Sequence, residues 1–182
     1  AYGNARDYSG TFDGQGYTVS GLYCTTNNNA GLFGDAYNGS VCNVGVVNSY
    51  IEGGNYVGGV CGRIYNKGSD TVLTISNCYN TGTVKGTRDG VGGVFGYVQN
   101  AGSDATITVT NCYNSGNIYL TDTSTSTNAG GVCGFLNNGT NATVTLTKCY
   151  NAGNVYAAGS SSKRIGGVCG GCVKATISNC YN

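Results

Sequence analysis

Runs in which every second position is apolar recur along the chain, at Leu73-Thr74-Ile75-Ser76, Ile107-Thr108-Val109-Thr110, Val144-Thr145-Leu146-Thr147 and Ala175-Thr176-Ile177-Ser178. Strict alternation at period two marks a strand with one buried face. Each run enters the same box: Asn77-Cys78-Tyr79-Asn80, Asn111-Cys112-Tyr113-Asn114, Lys148-Cys149-Tyr150-Asn151 and Asn179-Cys180-Tyr181-Asn182. Four ordered copies mark a repeat array. A shorter alternation follows the box at Thr83-Val84-Lys85, Asn117-Ile118-Tyr119 and Asn154-Val155-Tyr156.

Between boxes comes a glycine signature: Gly31-Leu32-Phe33-Gly34, Gly58-Gly59-Val60-Cys61-Gly62, Gly92-Gly93-Val94-Phe95-Gly96, Gly130-Gly131-Val132-Cys133-Gly134 and Gly166-Gly167-Val168-Cys169-Gly170. Glycine weakens a strand unless the backbone bends or packs closely there, so five copies at one place in the repeat predict a corner. Three short strands per repeat, joined by turns, describe one coil of a parallel β-helix.

Aligning Leu22 on Cys78 also sets Tyr23 on Tyr79 and Val19 on Ile75, which makes the segment around Leu22 a degenerate first copy. The anchor column then reads Leu22, Val44, Cys78, Cys112, Cys149 and Cys180, separated by 22, 34, 34, 37 and 31 residues. Six anchors predict an all-β solenoid of about six coils, and the preference for right-handed parallel crossovers makes it a right-handed parallel β-helix. A single domain over residues 1–182 is expected, with the lead-in and first coil in 1–29 and the repeats in 30–182. Variable repeat length is confined to polar loops near 66–70, 85–90, 120–129, 137–142 and 157–165. The abrupt start at Ala1 and the stop where another strand is due suggest a longer parent chain. An uncovered terminal coil would present a strand edge and invite end-to-end self-association.

Composition narrows the function classes. Nine Lys and Arg against eight Asp and Glu give a net charge of +1 with no basic stripe, which disfavours nucleic-acid binding. No apolar run is long enough to span a bilayer. The absence of His removes the usual general base, and the acids, Asp7, Asp13, Asp35, Glu52, Asp70, Asp89, Asp104 and Asp122, occupy mostly different repeat positions. Hydrolysis needs paired carboxylates across a cleft. A non-catalytic protein with no cofactor is therefore expected, with a β-helix polysaccharide lyase or hydrolase as the enzymatic alternative.

These residues resemble the GLUG repeats of bacterial surface proteins. Gly31-Leu32-Phe33-Gly34 matches the Gly-Leu-any-Gly core literally, and the four later copies carry Val for Leu. Residues 9–23 look like the lead-in to such repeats, and the Asn-Cys-Tyr-Asn boxes look like their continuation. The resemblance implies an adhesin-like or stalk region of a large secreted or cell-wall-attached protein. Its ligand would be a surface carbohydrate or a protein, and the rival is a structural spacer or self-assembling fibre element.

Several columns carry candidate chemistry. The anchor cysteines replace Leu and Val, so they read as small buried hydrophobes, although stacked neighbours such as Cys78 and Cys112, or Cys149 and Cys180, also lie within disulfide Cα range. Cys61, Cys133 and Cys169 share a column with Phe33 and Phe95, while Cys24 and Cys42 fit a peripheral bridge. Cys169-Gly170-Gly171-Cys172 has redox or zinc spacing, but no second pair and no histidine accompany it. Asn43, Asn77, Asn111 and Asn179 suggest a stacked amide ladder. Tyr23, Tyr79, Tyr113, Tyr150 and Tyr181 form an outward row that suits sugar rings or protein partners, or else stacks on itself. Outward ranks of Thr18, Ser40, Thr74, Thr108, Thr145 and Thr176, with Ser20, Ser76, Thr110, Thr147 and Ser178 beside them, are similar to ice-binding grids. Threonine equally suits any exposed strand.

Overall fold

The computed structural model describes residues 8–121, 127–158 and 163–182, and among them every regular element is a strand. The strands stack in parallel as a β-solenoid. One coil reads Val72–Ser76, Tyr79–Asn80, Thr83–Gly86, Val91–Gly92 and Phe95–Asn100, after which Thr106–Thr110 lands beside Val72–Ser76. A coil thus holds five short strands rather than three. Two of the five are only two residues long, too short to show alternation in the sequence.

Five sheets result. The first contains Thr11–Asp13, Ser40–Cys42, Val72–Ser76, Thr106–Thr110, Thr143–Thr147 and Thr176–Ser178. The second, third, fourth and fifth follow from the other strands of the coil: five rungs through Tyr79–Asn80, five through Thr83–Gly86, four through Val91–Gly92 and five through Phe95–Asn100. With six rungs in the first sheet but only four in the fourth, the described residues make about four complete turns, flanked by a partial coil at each end, rather than the six expected from the anchors.

Register explains the core. Phe12, Val41, Ile75, Val109, Leu146 and Ile177 occupy one inward column of the first sheet, and Val41, Ile75, Val109 and Leu146 are buried. Each fully buried aliphatic side chain contributes about 1.5–3 kcal/mol. Ile51, Val84 and Ile118 fill the equivalent column of the third sheet.

The first coil departs from the sequence alignment. Thr18, not Tyr23, pairs with Gly45, and Tyr23 pairs with Tyr50 in the third sheet. Tyr17 therefore takes the level of Val44, and its carbonyl accepts from Gly45 as the Val44 carbonyl accepts from Tyr79. Leu22 lies between the second and third sheets, donating its amide to Ser49 Oγ at 3.0 Å. The cause is that Thr11–Asp13 already supplies the first-sheet rung, so the alternating run 17–23 continues into the second and third sheets. Phe12 replaces Val19 on the level of Ile75, and Thr11 and Asp13 replace Thr18 and Ser20 in the outward ranks of the first sheet.

The bend after the first sheet is made by Asn43, Asn77, Asn111, Lys148 and Asn179, all at positive φ between 52° and 54°. Asparagine tolerates this left-handed conformation better than most residues, which accounts for the first Asn of each box. Asn77 Nδ2 donates to Asn43 Oδ1 at 2.7 Å, so part of the expected amide ladder forms.

The second Asn of the box makes a deeper ladder. Asn80 donates to Asn114 at 2.9 Å, Asn114 to Asn151 at 2.8 Å and Asn151 to Asn182 at 2.7 Å. Each of Asn80, Asn114 and Asn151 also donates to the carbonyl and accepts from the amide of the glycine two residues on. These side chains lie against the corners: a Cβ added to Gly59, Gly93, Gly131 or Gly167 would run into Asn80, Asn114, Asn151 or Asn182. Box and glycine signature therefore recur together because they touch. Gly31, Gly62, Gly96, Gly134 and Gly170 likewise face backbone atoms closer than a side chain allows, whereas Gly34 has more room.

Candidate ligand-binding faces

Three outward walls carry different chemistry. On the first sheet, Thr74, Thr108, Thr145 and Thr176 lie in register, flanked by Ser76, Thr110, Thr147 and Ser178 on one side and by Val72, Thr106 and Thr143 on the other. Rungs lie about 4.8 Å apart and same-face neighbours about 6.7 Å apart along a strand, giving a two-dimensional hydroxyl lattice. Its one acidic member, Asp13, sits on the first rung and accepts from Asn43.

The second sheet carries the tyrosine ladder. Tyr79, Tyr113, Tyr150 and Tyr181 stack with centroids 4.7, 4.9 and 5.0 Å apart and planes within 3°. The Tyr79 ring lies over Gly45, where a Cβ would collide with it. Ring faces inside this ladder are covered by one another, so the wall presents edges and phenol tips. Tyr23 belongs to a different stack, 5.5 Å from Tyr50 in the third sheet.

The third sheet, like the fifth with its column Asp35, Arg63, Tyr97, Phe135 and Gly171, changes from rung to rung. Thr25, Glu52, Lys85, Tyr119 and Tyr156 succeed each other in one outward column. Tyr50 Oη donates to Glu52 Oε2 at 2.6 Å and Lys85 Nζ lies 2.9 Å from Glu52 Oε1. The Tyr50 hydroxyl, then Lys85, hold the Glu52 carboxyl below its usual range. The same contact raises Lys85 and Tyr50, so carboxylate, ammonium and phenol coexist. Beside them Thr25, Thr26, Asn27, Glu52, Gly53 and Thr87 line a concavity of about 370 Å³. It forms because the bends after Thr25, Gly53 and Gly86 differ in length and path, with Thr26 and Thr87 donating their amides to the carbonyls of Glu52 and Gly53. Sequence reasoning missed this place, since Glu52, Thr26 and Asn27 belong to no repeated motif.

The remaining described carboxylates are dispersed. Asp35 pairs with Arg63 at 2.5 Å on the fifth sheet, and Asp89 accepts from Asn128 at 2.6 Å. Asp70 and Asp104 share a bend at φ 54° and 53°. Asp7 and Asp122 lie outside the described residues. No group of three or more Cys, Asp or Glu among the described residues is placed to hold a metal ion.

All ten cysteines are free thiols. Cys78, Cys112 and Cys149 are fully buried, and Cys180 is half-buried on the last rung. Stacking in register separates Cβ atoms by the same ~4.8 Å as Cα atoms, beyond the ~3.5–4.5 Å a disulfide requires. Burial raises the thiols of Cys61, Cys112 and Cys133 above their usual range. Cys24 and Cys42 cannot form the expected peripheral bridge, because they stand on the third and first sheets. Cys172 pairs with Leu136 in an apolar column and is exposed because that column ends there.

Among the described residues no helix is long and apolar enough to cross a membrane. Comparison with protein-family models, characterised proteins and solved structures finds no match.

Proposed function

We propose that this chain is a non-catalytic extracellular repeat module of a bacterial surface protein, GLUG-like in kind, that displays a wall for carbohydrate or protein ligands. The observation that carries this reading is the third sheet, whose outward wall brings tyrosines and a paired carboxylate and ammonium beside a polar concavity. Loss of uniformity at an exposed wall has no packing rationale in a fold whose stability comes from repetition. Dispersal of the described acids supports the non-catalytic part.

The test is to incubate the purified chain with immobilised host and plant polysaccharides while assaying the same samples for new reducing ends. Retention without new ends is expected. Release of ends overturns the non-catalytic reading.

A second reading, a structural spacer, is favoured by the tyrosine ladder of the second sheet, whose rings are consumed in mutual contact. Neither retention nor release, combined with undiminished thermal stability, would establish it.

A further inference from the structure

We propose that the concavity of the third sheet, bounded by Thr25, Asn27, Glu52 and Thr87 and flanked by the Tyr23–Tyr50 stack, is a subsite for an uncharged oligosaccharide lying along the solenoid axis. It rests on the binding role proposed above and gives that role a place and a ligand class.

Three observations converge on it. The first is shape: the recess of about 370 Å³ is lined by hydroxyl, amide and carboxylate groups. These are the partners that a polyol's alternating donors and acceptors require. The second is the aromatic wall. Tyr23 is 74% exposed and is braced from one side by Tyr50, which gives the apolar C–H face of a pyranose a rigid surface to rest on. Tyrosines of the second sheet offer less, because their neighbours cover both faces of the inner rings.

Charge is the third. Glu52 stays ionised, yet Lys85 neutralises it, so the site presents strong acceptors without a net field. Each Glu52 oxygen has one partner already, Tyr50 or Lys85, and retains a free lone pair for a sugar hydroxyl. A polyanionic glycan would gain no uncompensated cation here, and a cationic one no uncompensated anion. Spacing reinforces the orientation: rungs rise by about 4.8 Å, close to the length of one hexose in an extended chain. A glycan parallel to the axis would thus meet one rung per sugar, with hydroxyl, carboxylate and ammonium at Thr25, Glu52 and Lys85 in turn.

The experiment is calorimetric titration of the full chain with cellohexaose, xylohexaose, mannohexaose and laminarihexaose, and with an oligogalacturonate as the acidic control. At least one neutral hexasaccharide should bind. Glu52→Gln and Tyr23→Ala should each weaken that binding tenfold or more, and Thr108→Ala and Tyr150→Ala should leave it unchanged. Thermal unfolding of each variant checks that the loss is not a loss of fold. Neutral binding that survives both Glu52→Gln and Tyr23→Ala overturns this subsite while leaving a glycan-binding role standing elsewhere. Preference for the oligogalacturonate overturns the ligand class. Failure of every glycan here, together with no retention on the immobilised polysaccharides, removes the role itself.

Discussion

The first and third sheets run along the same rod, yet one wall is monotonous and the other is not. On the first, threonine or serine answers threonine or serine over successive rungs. On the third, Thr25, Glu52, Lys85 and Tyr119 follow one another in a single column while the inward neighbours Cys24, Ile51, Val84 and Ile118 stay apolar. The inside of both walls obeys one rule, because a column that leaves the apolar class leaves a void or an unpaired polar group. The outside is free of that constraint, and the varied wall of the third sheet is where the ligand-binding role is proposed. Uniformity outside, by contrast, needs only strand propensity to explain it.

That contrast can be broken most severely from within. Ile107→Ala removes a buried rung of the first sheet and should lower unfolding free energy by about 2–5 kcal/mol in denaturant titration. Asn114→Ala should cost about 1–3 kcal/mol by the same measurement, since it strands the Asn80 amide and the backbone of Gly116. An equal loss for Thr108→Ala would erase the distinction between inner and outer faces. Its expected change is within about 0.5 kcal/mol.

Two further outcomes sharpen the comparison without large energies. The Glu52 carboxyl is held low by Tyr50 and Lys85, so its contribution is present above the ordinary carboxylate range and is lost as pH falls through the depressed value. Acid titration of wild type against Glu52→Gln should therefore show a difference that disappears at low pH, whereas no such difference is expected for Thr108→Ala. Thiol labelling of the native protein should modify Cys172 first and spare Cys61, Cys78, Cys112, Cys133 and Cys149 until global unfolding. Prompt reaction at Cys112 would contradict a closed core.

Repetition decided how much of this was legible beforehand. Alternation fixed the first sheet and its inward column, and the substitution of Cys for Val or Phe disclosed an apolar site. The glycine corners announced themselves as well. What escaped notice was local. Two-residue strands have no period, so Tyr79–Asn80 and Val91–Gly92 were invisible as elements. The first-sheet rung is the three-residue strand Thr11–Asp13, too short to advertise itself, so the longer alternation at 17–23 was matched to the wrong sheet and Leu22 and Tyr23 lie at the boundary of the second sheet and in the third. The burial of Asn80, Asn114 and Asn151 also contradicts the habit of placing asparagine outside. It follows from a corner that only glycine and a hydrogen-bonded amide can fill together. Glu52 and Lys85 meet across neighbouring coils, and register had to be known before they could be paired.

Hydrogen bonds between rungs point along the rod, so they lie in the direction in which a tethered molecule would be pulled. Tension applied at the two ends would strip the stack one coil at a time instead of shearing a whole sheet at once. A coil such as the 34 residues from Val44 to Cys78 occupies about 4.8 Å of the stacked rod but reaches about 110–120 Å when drawn straight. Held between two anchors, the molecule would yield in a series of long, low-force steps and act as a shock absorber. Single-molecule stretching would register those steps as a sawtooth, and one abrupt rupture of the entire chain would rule the behaviour out.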